Sequence, residues 1–169
     1  MIMRLEPYRD ADLAFTESLE FDPIVMRHLG GVGAQDRARV VHEERMAGIG
    51  RGDLYRTVIP DGGTEPVALV AIWHTEWRGE TIHEFGIMVR PRAHRQGVGL
   101  AASREIIAEF QAAHPGEPLH AFTAVGNEAA DSGARRLGFV PDGEYDMDYA
   151  GEPLRCRHFV LAPSDAGPR

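Results

Sequence analysis

"RPRAHRQGVGLAA" (residues 90–102) places four basic or potentially basic side chains directly before two glycines. They are Arg90, Arg92, His94 and Arg95, in a chain whose formal net charge is −8. A strand-like run precedes this stretch and a helix-like run follows it. A helix N-terminus offers unpaired N–H donors and about half a positive charge, and glycine lets backbone approach a ligand closely. The stretch therefore predicts an anion site, suited to a pyrophosphate.

The composition limits the class of protein. The chain of 169 residues predicts one domain over residues 1–162, followed by a flexible tail over 163–169. No apolar run has the length of a membrane span, and the first residues lack the apolar core of a signal peptide. The single cysteine, Cys156, fits packing in a reducing compartment, so we expect a cytoplasmic protein. The acidic balance argues against broad nucleic-acid binding.

The hydrophobic pattern predicts a mixed α/β fold, an α+β arrangement in the order β-α-α-β-β-β-α-β-α-β-β. One parallel crossover passes through a helix over Val98–Ala113, and the first half of the sheet is antiparallel. An earlier stretch, 11–29, reads as a helix broken near Pro23. A second early helix is expected over 35–48, with Val40, Val41 and Met46 pointing inward. Residues 143–150 and 155–162 read as a final hairpin.

The glycine turn is open to two other interpretations. A lone G-x-G often serves turn geometry alone, and surface arginines are often merely solvated. "GVGLAA" (97–102) also satisfies the G-x-G-x-x-A dinucleotide fingerprint. That fingerprint belongs to a first βαβ unit within a run of alternating strands and helices, and the hairpins expected before residue 90 do not supply such a run.

A resemblance agrees with the anion site. "VRPRAHRQGVGLAA" (89–102) resembles the acetyl-CoA signature of the GNAT-type N-acetyltransferases, a strand ending V-x-P followed by Q/R-x-x-G-x-G/A. "NEAADSGARRLGF" (127–139) resembles the N-x-x-A-x-x-x-x-x-x-L-G-F helix of the same superfamily. One departure is His94, which stands where Gln or Arg is usual. The resemblance covers about Thr57 to Leu161 and implies a GNAT fold with a central sheet that is splayed at the acetyl-CoA site.

The resemblance implies that acetyl-CoA lies where the strand of Glu84–Val89 diverges from the strand of 119–126. The coenzyme's arm would add to a strand edge, and its pyrophosphate would be held by backbone amides of residues 95–101. The residues expected to bind it are Ile87, Met88, Val89, His94, Arg95, Gln96, Gly97, Val98, Gly99, Leu100, Ala101 and Asn127. Asn127 is equally suited to a plain helix N-cap.

The resemblance also implies a direct attack by an amine in a ternary complex. Alternation along the strand puts Glu84, Gly86 and Met88 on one face and Phe85, Ile87 and Val89 on the other. Glu84 is the expected general base, although it could be only a surface carboxylate. A backbone N–H near Val89 is expected to stabilise the developing oxyanion.

The proton donor to the leaving thiolate is a tyrosine in the family, and that position is Ala134 here. Ser132, or a hairpin tyrosine such as Tyr145 or Tyr149, could replace it. His83 reads as a packed histidine.

The acceptor is expected to be a primary amine on a small molecule or a peptide N-terminus. Asp142, Glu144, Asp146 and Asp148 alternate along one strand and could form an acidic wall, or a merely solvated edge. Glu17, Glu20, Glu43 and Glu44 add to the acidic character of the acceptor side. Trp73 reads as core, and Trp77 could line the acceptor mouth or a homodimer contact.

The histidines show no spacing such as H-E-x-x-H, so the sequence predicts no metal. Because Ala134 replaces the usual tyrosine, a catalytically idle acyl-CoA-binding module, such as a sensor or a partner-binding subunit, is the alternative function.

Overall fold

The sheet and its helices follow the predicted order. A computed structural model describes residues 3–149 and 151–164. Its strands are β1 (Met3–Pro7), β2 (Leu54–Pro60), β3 (Ala68–Trp77), β4 (Glu80–Val89), β5 (Leu119–Ala124), β6 (Val140–Tyr149) and β7 (Glu152–Leu161). Its α-helices are α1 (Leu13–Glu20), α2 (Arg37–Gly50), α3 (Val98–Ala113) and α4 (Glu128–Arg136). The predicted fold class is confirmed. Most of the tail predicted over 163–169, and Ala150 of the hairpin, lie outside the described residues.

The seven strands form one sheet in the order β1-β2-β3-β4-β5-β7-β6. All neighbouring strands are antiparallel except β4 and β5, which are parallel and joined by the α3 crossover. Antiparallel neighbours need only short hairpins, whereas a parallel pair needs a crossover connection. The one parallel pair therefore coincides with the glycine-containing turn that opens α3.

The two faces of the sheet bury different kinds of residues. Under α3 and α4 lies the larger apolar core, which includes Phe85, Phe110 and Phe159. Under α1 and α2 lies a smaller cluster of Tyr8, Phe15, Leu19 and Leu69, with Tyr55 and Met88 packed against it. Glu84 belongs to this second face, because side chains alternate along β4.

The prediction for α2 is wrong in detail. Val40 is 47% exposed, and the buried positions of this helix include His42 and Arg45. They recur at the spacing of one helix face but are polar, so apolar periodicity did not select them, and the prediction for Val40 is wrong. The prediction for Met46 is confirmed, since it packs against the smaller cluster. Buried hydrogen bonds explain the arrangement. The Tyr8 hydroxyl meets His42 Nδ1 at 2.5 Å, and Arg45 donates to Thr16 Oγ1 at 2.9 Å.

Other differences are smaller. In the first predicted helix only α1 forms a regular helix, and a short 3₁₀ turn over Met26–His28 follows Pro23. In the final hairpin the strands begin a few residues earlier than predicted.

Candidate active site at the parting of two strands

Strands β4 and β5 pair at a single position and then separate. The only bridge between them in the described chain joins Glu84 and His120. The Arg90 amide donates to the Val67 carbonyl at 2.8 Å, so the backbone groups of even-numbered β4 residues face β3. Those of Ile87 and Val89 face the other way, into the gap beyond Glu84. The predicted divergence of the two strands is thus present in the fold.

The backbone of Met88 faces β3, unlike that of Ile87 and Val89, which faces the gap. Its backbone pairs with Leu69 of β3, and its sulfur lies 3.6 Å from an Arg45 nitrogen. Met88 therefore offers a side-chain wall on the Glu84 face rather than free backbone groups at the gap.

The turn after β4 exposes a row of backbone amides. No backbone or side-chain acceptor among the described residues takes a hydrogen bond from the amides of residues 95–100. Ala101 departs from its prediction, since its amide donates to the Gly97 carbonyl at 3.1 Å. Six consecutive free donors at the start of a 16-residue helix form a cradle for an anion.

The two glycines of the turn differ in conformation and in surroundings. Gly97 is the N-cap of α3 and has φ +78°, a left-handed conformation that costs other residues free energy. Gly99 lies beside the strand, because a Cβ there would be 3.4 Å from the side chains of both Ile87 and Val89, which is about van der Waals contact. The helix N-terminus is therefore held directly against the strand edge that faces the gap.

Most of the basic side chains before the glycines are committed elsewhere. Arg90 lies over the Phe15 ring and donates to Ser18 Oγ at 2.6 Å, and Arg92 pairs with Glu65 at 3.2 Å. The His94 ring nitrogen Nε2 contacts the Val89 carbonyl at 2.9 Å, as a donor to it. Arg95 alone of the four has no hydrogen bond or ion pair with the described residues. The predicted concentration of positive charge on the turn is thus reduced largely to Arg95 and the amides.

Glu84 projects from the opposite face to Phe85, as alternation predicts. Burial raises the pKa of its carboxyl from the ordinary 4.5 to about 7. No hydrogen bond or ion pair to this carboxyl is present within residues 3–149 and 151–164. A desolvated carboxyl without a partner, with a pKa near neutrality, can exchange protons at physiological pH.

The Glu84 carboxylate helps to raise the pKa of three other groups, Tyr55, Tyr149 and Cys156. Burial, followed by Asp53, raises the pKa of Tyr55 to about 12, and Glu84 adds to this effect. The pKa values of Tyr149 and Cys156 are also raised, chiefly by burial and further by Glu84. Tyr149 and Cys156 alternate on the same face of the hairpin as Tyr145. Cys156 is buried, as expected for a packing residue.

Tyr149 packs beside a cluster of buried charges that the sequence did not reveal. The ring packs over Gly30, and the Arg37 guanidinium lies 5.4 Å from its centre. Arg37 and Arg45 share the buried carboxylate of Glu20, at 3.1 and 3.3 Å. We call these three residues the Glu20 cluster. The four glutamates predicted to enrich this side therefore include one that is buried and neutralised.

The candidate proton donors lie in different places. Ala134 is buried in the core beneath α4, so no hydroxyl occupies the usual position. Ser132 is exposed on α4, in a shallow cleft with Glu128, Arg135 and Arg157. Tyr145 is packed against Trp77 and has its hydroxyl beside Gly143. Tyr149 is the hairpin tyrosine in the neighbourhood of Glu84.

Asn127 caps α4. Its Oδ1 accepts a hydrogen bond from the Ala130 amide at 3.2 Å. The capping role is therefore present, and any contact with a ligand would be additional.

The predicted acidic wall on β6 does not face Glu84. Glu144 and Asp146 pair with Arg157 and Arg155, and Arg157 also binds Asp131 of α4. These carboxylates therefore lie toward the α4 side of the sheet. Asp142 contacts His158, and Asp148 accepts from the Gly151 amide. The predicted alternation holds for Glu144, Asp146 and Asp148 but is wrong for Asp142, because a bulge between Pro141 and Gly143 shifts the register and leaves Asp142 beside His158. The face that carries His158 also carries Tyr145 and Tyr149.

The two tryptophans are both half-buried. Trp73 stacks on Tyr55 with 6.4 Å between ring centres. Trp77 packs against Phe122 and Tyr145, so its ring belongs to the interior of the hairpin face rather than to a free surface.

The fold and the opened strands define a class of protein. A sheet whose one parallel pair parts at the N-terminus of a crossover helix is the architecture expected from the GNAT resemblance. The family model described as "Acetyltransferase (GNAT) domain" matches residues 3–140. The chain belongs to the GNAT acetyltransferase family.

Solved structures of this family have the same fold. A phosphinothricin acetyltransferase from Sinorhizobium meliloti, in complex with AcCoA, gives a TM-score of 0.78 at 16% identity, covering 100% of this chain and 93% of that one. A ribosomal-protein-alanine N-acetyltransferase from Brucella melitensis gives 0.75 at 18% identity, covering 96% and 99%. A spermidine N-acetyltransferase from Vibrio cholerae, with CoA and spermine, gives 0.74 at 14% identity, covering 95% of each chain. At these identities the likeness concerns the fold.

A comparison with curated proteins gives no significant match. None of the helices in the described residues is both long and apolar enough to cross a membrane.

Proposed function

We propose that this protein is an acetyl-CoA-dependent N-acetyltransferase that acetylates a primary amine of a small molecule or a peptide N-terminus. The observation that carries the proposal is the row of free amides at residues 95–100, placed where β4 and β5 part. Family membership supports the same conclusion. Acetyl-CoA, when bound, supplies the activated acetyl group.

The residues of the cradle fit a diphosphate. The amides of residues 95–100 would donate to its oxygens, and the Arg95 guanidinium adds a positive charge at the same turn. The backbone groups of Ile87 and the Val89 N–H face the gap, which suits the amide groups of an extended arm. The Val89 carbonyl already accepts a hydrogen bond from His94. Asn127 lies at the end of the neighbouring strand, on the far side of that gap.

Glu84 would act as the general base. An amine of the lysine type has a pKa of about 10.4 and is protonated at neutral pH. Glu84, with a pKa of about 7, would accept its proton directly or through water. The amine would then attack the thioester carbonyl in a ternary complex, and the Val89 N–H, which faces the gap, would donate to the carbonyl oxygen.

The proton for the leaving sulfur would come from Tyr149 or Ser132. Tyr149 lies on the Glu84 face beneath the Gly30 loop, which favours it over Ser132 on exposed α4. A thiol of pKa about 8.5 leaves without much assistance, so this donor contributes less than the base does.

The acceptor would enter on the α1 and α2 side, which carries Tyr149, Tyr55 and Glu84. Named relatives act on spermidine, on a ribosomal protein and on phosphinothricin, so amines of small molecules and of peptide N-termini are both within the class. The net charge of −8 favours such acceptors over a nucleic acid. We also propose a single catalytic domain over residues 1–162 that works in the cytoplasm.

The proposal is tested by following thiol release from acetyl-CoA with purified protein across polyamines, amino acids, aminoglycosides and short peptides. We expect acceptor-dependent release with at least one class, together with saturable CoA binding by calorimetry. Tight CoA binding without turnover on any acceptor would instead favour the idle acyl-CoA-binding module. Absence of CoA binding would overturn both functions.

A further inference from the structure

A second group of potential ligands lies at the opposite end of α3 from the free amides. Each of His83, His114 and Glu117 offers one ligand atom, and these three atoms lie within 4.8 Å of one another. The Glu117 carboxylate places Oε2 at 2.9 Å from His83 Nδ1 and Oε1 at 3.6 Å from His114 Nδ1. We propose that these side chains, the His83 cluster, bind a divalent transition-metal ion of the zinc type.

The backbone builds this cluster from two places in the chain. His114 is the residue that ends α3, and its amide donates to the Phe110 carbonyl at 2.8 Å. Pro115 and Gly116, with Gly116 at φ +91°, make a tight turn in which the Glu117 amide donates to the His114 carbonyl at 3.2 Å. This turn brings Glu117 back beside His114, and both face His83 on β4.

The rings around His83 restrict its orientation. Its ring centre lies 4.8 Å from that of Phe110, 5.1 Å from that of His114 and 4.4 Å from that of His74. These contacts limit the rotation of the ring while its Nδ1 lies 2.9 Å from the Glu117 carboxylate.

The donor set suits zinc chemistry. Two imidazole nitrogens and one carboxylate oxygen form a common three-ligand set for Zn²⁺, with bonds of about 2.0–2.2 Å. Tetrahedral bonds of that length place ligand atoms roughly 3.4 Å apart. Small rotations of the three side chains would therefore close the cluster around an ion. Ca²⁺ and Mg²⁺ prefer sets composed of oxygen and are poorer candidates.

The fourth coordination position would open to solvent. His83 and Glu117 also line a cleft of about 510 Å³ whose wall includes Thr81, Pro118 and His120. Water or an added ligand can reach the ion from this side. An ion here would tie the end of the α3 crossover to β4, and so would stabilise the unit whose other end carries the free amides.

Zinc binding is measured on tag-free protein that has been stripped with a chelator and titrated with ZnCl₂ in a calorimeter. Two variants remove ligands, His114→Ala and Glu117→Gln, and His28→Ala is the control because His28 lies outside the cluster. We expect one equivalent of Zn²⁺ on the native chain, binding at least about tenfold weaker in each cluster variant, and no change in the control. Zn²⁺ should also raise the Tm of the native chain but not that of His114→Ala.

CoA affinity and circular dichroism verify that the variants are folded. Glu117 is half exposed, so its replacement keeps the proposal testable if His114→Ala is unstable. Equal zinc affinity in the native chain and both cluster variants would overturn the site, as would the lack of saturable binding. Either result would mean that Glu117 forms only ordinary ion pairs with the two histidines. Neither result depends on acetyl transfer.

Discussion

The two halves of the candidate active site are built from different materials. The proposed coenzyme half consists of backbone groups from one continuous stretch, residues 95–100, together with the adjoining edge of β4. The proposed acceptor half consists of side chains brought together from α1, α2, β4 and β6, namely Glu20, Arg37, Arg45, Glu84 and Tyr149. A backbone site needs only glycines and a helix start, so its sequence signal is local. A side-chain site depends on distant packing and on which groups are buried.

Glu84→Gln should have the largest effect, because it removes the proposed base from the acceptor half. We expect kcat to fall by about 10²–10⁴-fold, the usual contribution of general base catalysis. CoA affinity should not change, since the amides of residues 95–100 remain. Steady-state thiol release and calorimetry measure the two quantities. Glu80→Gln, on the same face of the same strand, is the matched control and should retain native turnover.

The pH dependence gives a second test of Glu84. Its working form is the carboxylate, and its pKa is about 7, so kcat/KM should rise about tenfold from pH 6 to pH 8. Stability should follow the opposite direction, because a raised pKa favours the protonated folded state. The stability contributed by the protonated Glu84 carboxyl is fully present below pH 4.5 and is lost as pH rises through about 7. Glu84→Gln should therefore stabilise the fold at pH 8, by at most about 3 kcal/mol. A pH-independent rate would argue against Glu84 as the base.

Glu20→Ala should affect the acceptor half by lowering the free energy of unfolding of the protein. The variant leaves Arg37 and Arg45 without their shared buried carboxylate, and removing one partner from a buried ion pair costs about 3–5 kcal/mol. Urea unfolding measures the loss. Glu17→Ala on the same helix is the control, because Glu17 is exposed and should change stability by less than about 0.5 kcal/mol. Equal effects of the two substitutions would show that the Glu20 cluster adds no more stability than an exposed glutamate does.

The coenzyme half could be predicted from sequence to a large extent. The bounds of α3, the divergence of β4 and β5, and the side of β4 that carries Glu84 were all expected from a strand, two glycines and a helix. Two details failed. The side chains of Arg90 and Arg92 bind Ser18 and Glu65, which are remote in sequence. The Ala101 amide donates its hydrogen bond within the first turn of α3.

The acceptor half could not be predicted, because in the sequence its charged residues look like ordinary exposed surface residues. Glu17 and Glu20 look equivalent in sequence, yet only Glu20 is buried, since Arg37 and Arg45 arrive from another helix. In β6 the alternation gives the residues that share a face only beyond the bulge between Pro141 and Gly143, and the sequence gives no sign of which face meets Glu84. Arg157 and Asp131 decide this by holding the carboxylates on the α4 side.

Gly97→Asp should damage only the coenzyme half. The aspartate would have to adopt φ +78°, which costs about 1–2 kcal/mol, and its carboxylate would lie beside the amides proposed to receive the phosphates. We expect CoA binding to weaken about 10- to 100-fold in calorimetry. Gly79→Asp, at φ +81° in the β3–β4 turn, imposes the same backbone strain far from the cradle. Loss of CoA affinity in both variants would indicate general destabilisation rather than a phosphate site.

The smallest expected effect separates two arginines that look alike in sequence. Arg95 has no partner among the described residues, whereas Arg92 is paired with Glu65 at 3.2 Å. An exposed charge contact is worth about 0.2–1 kcal/mol, so Arg95→Ala should weaken CoA binding by up to about fivefold. Arg92→Ala should leave the affinity nearly unchanged, because its charge is already compensated. The difference should shrink as salt is added, since screening weakens exposed contacts. If Arg92→Ala costs as much as Arg95→Ala, the turn binds its anion through overall positive charge, and the free amides lose their leading role.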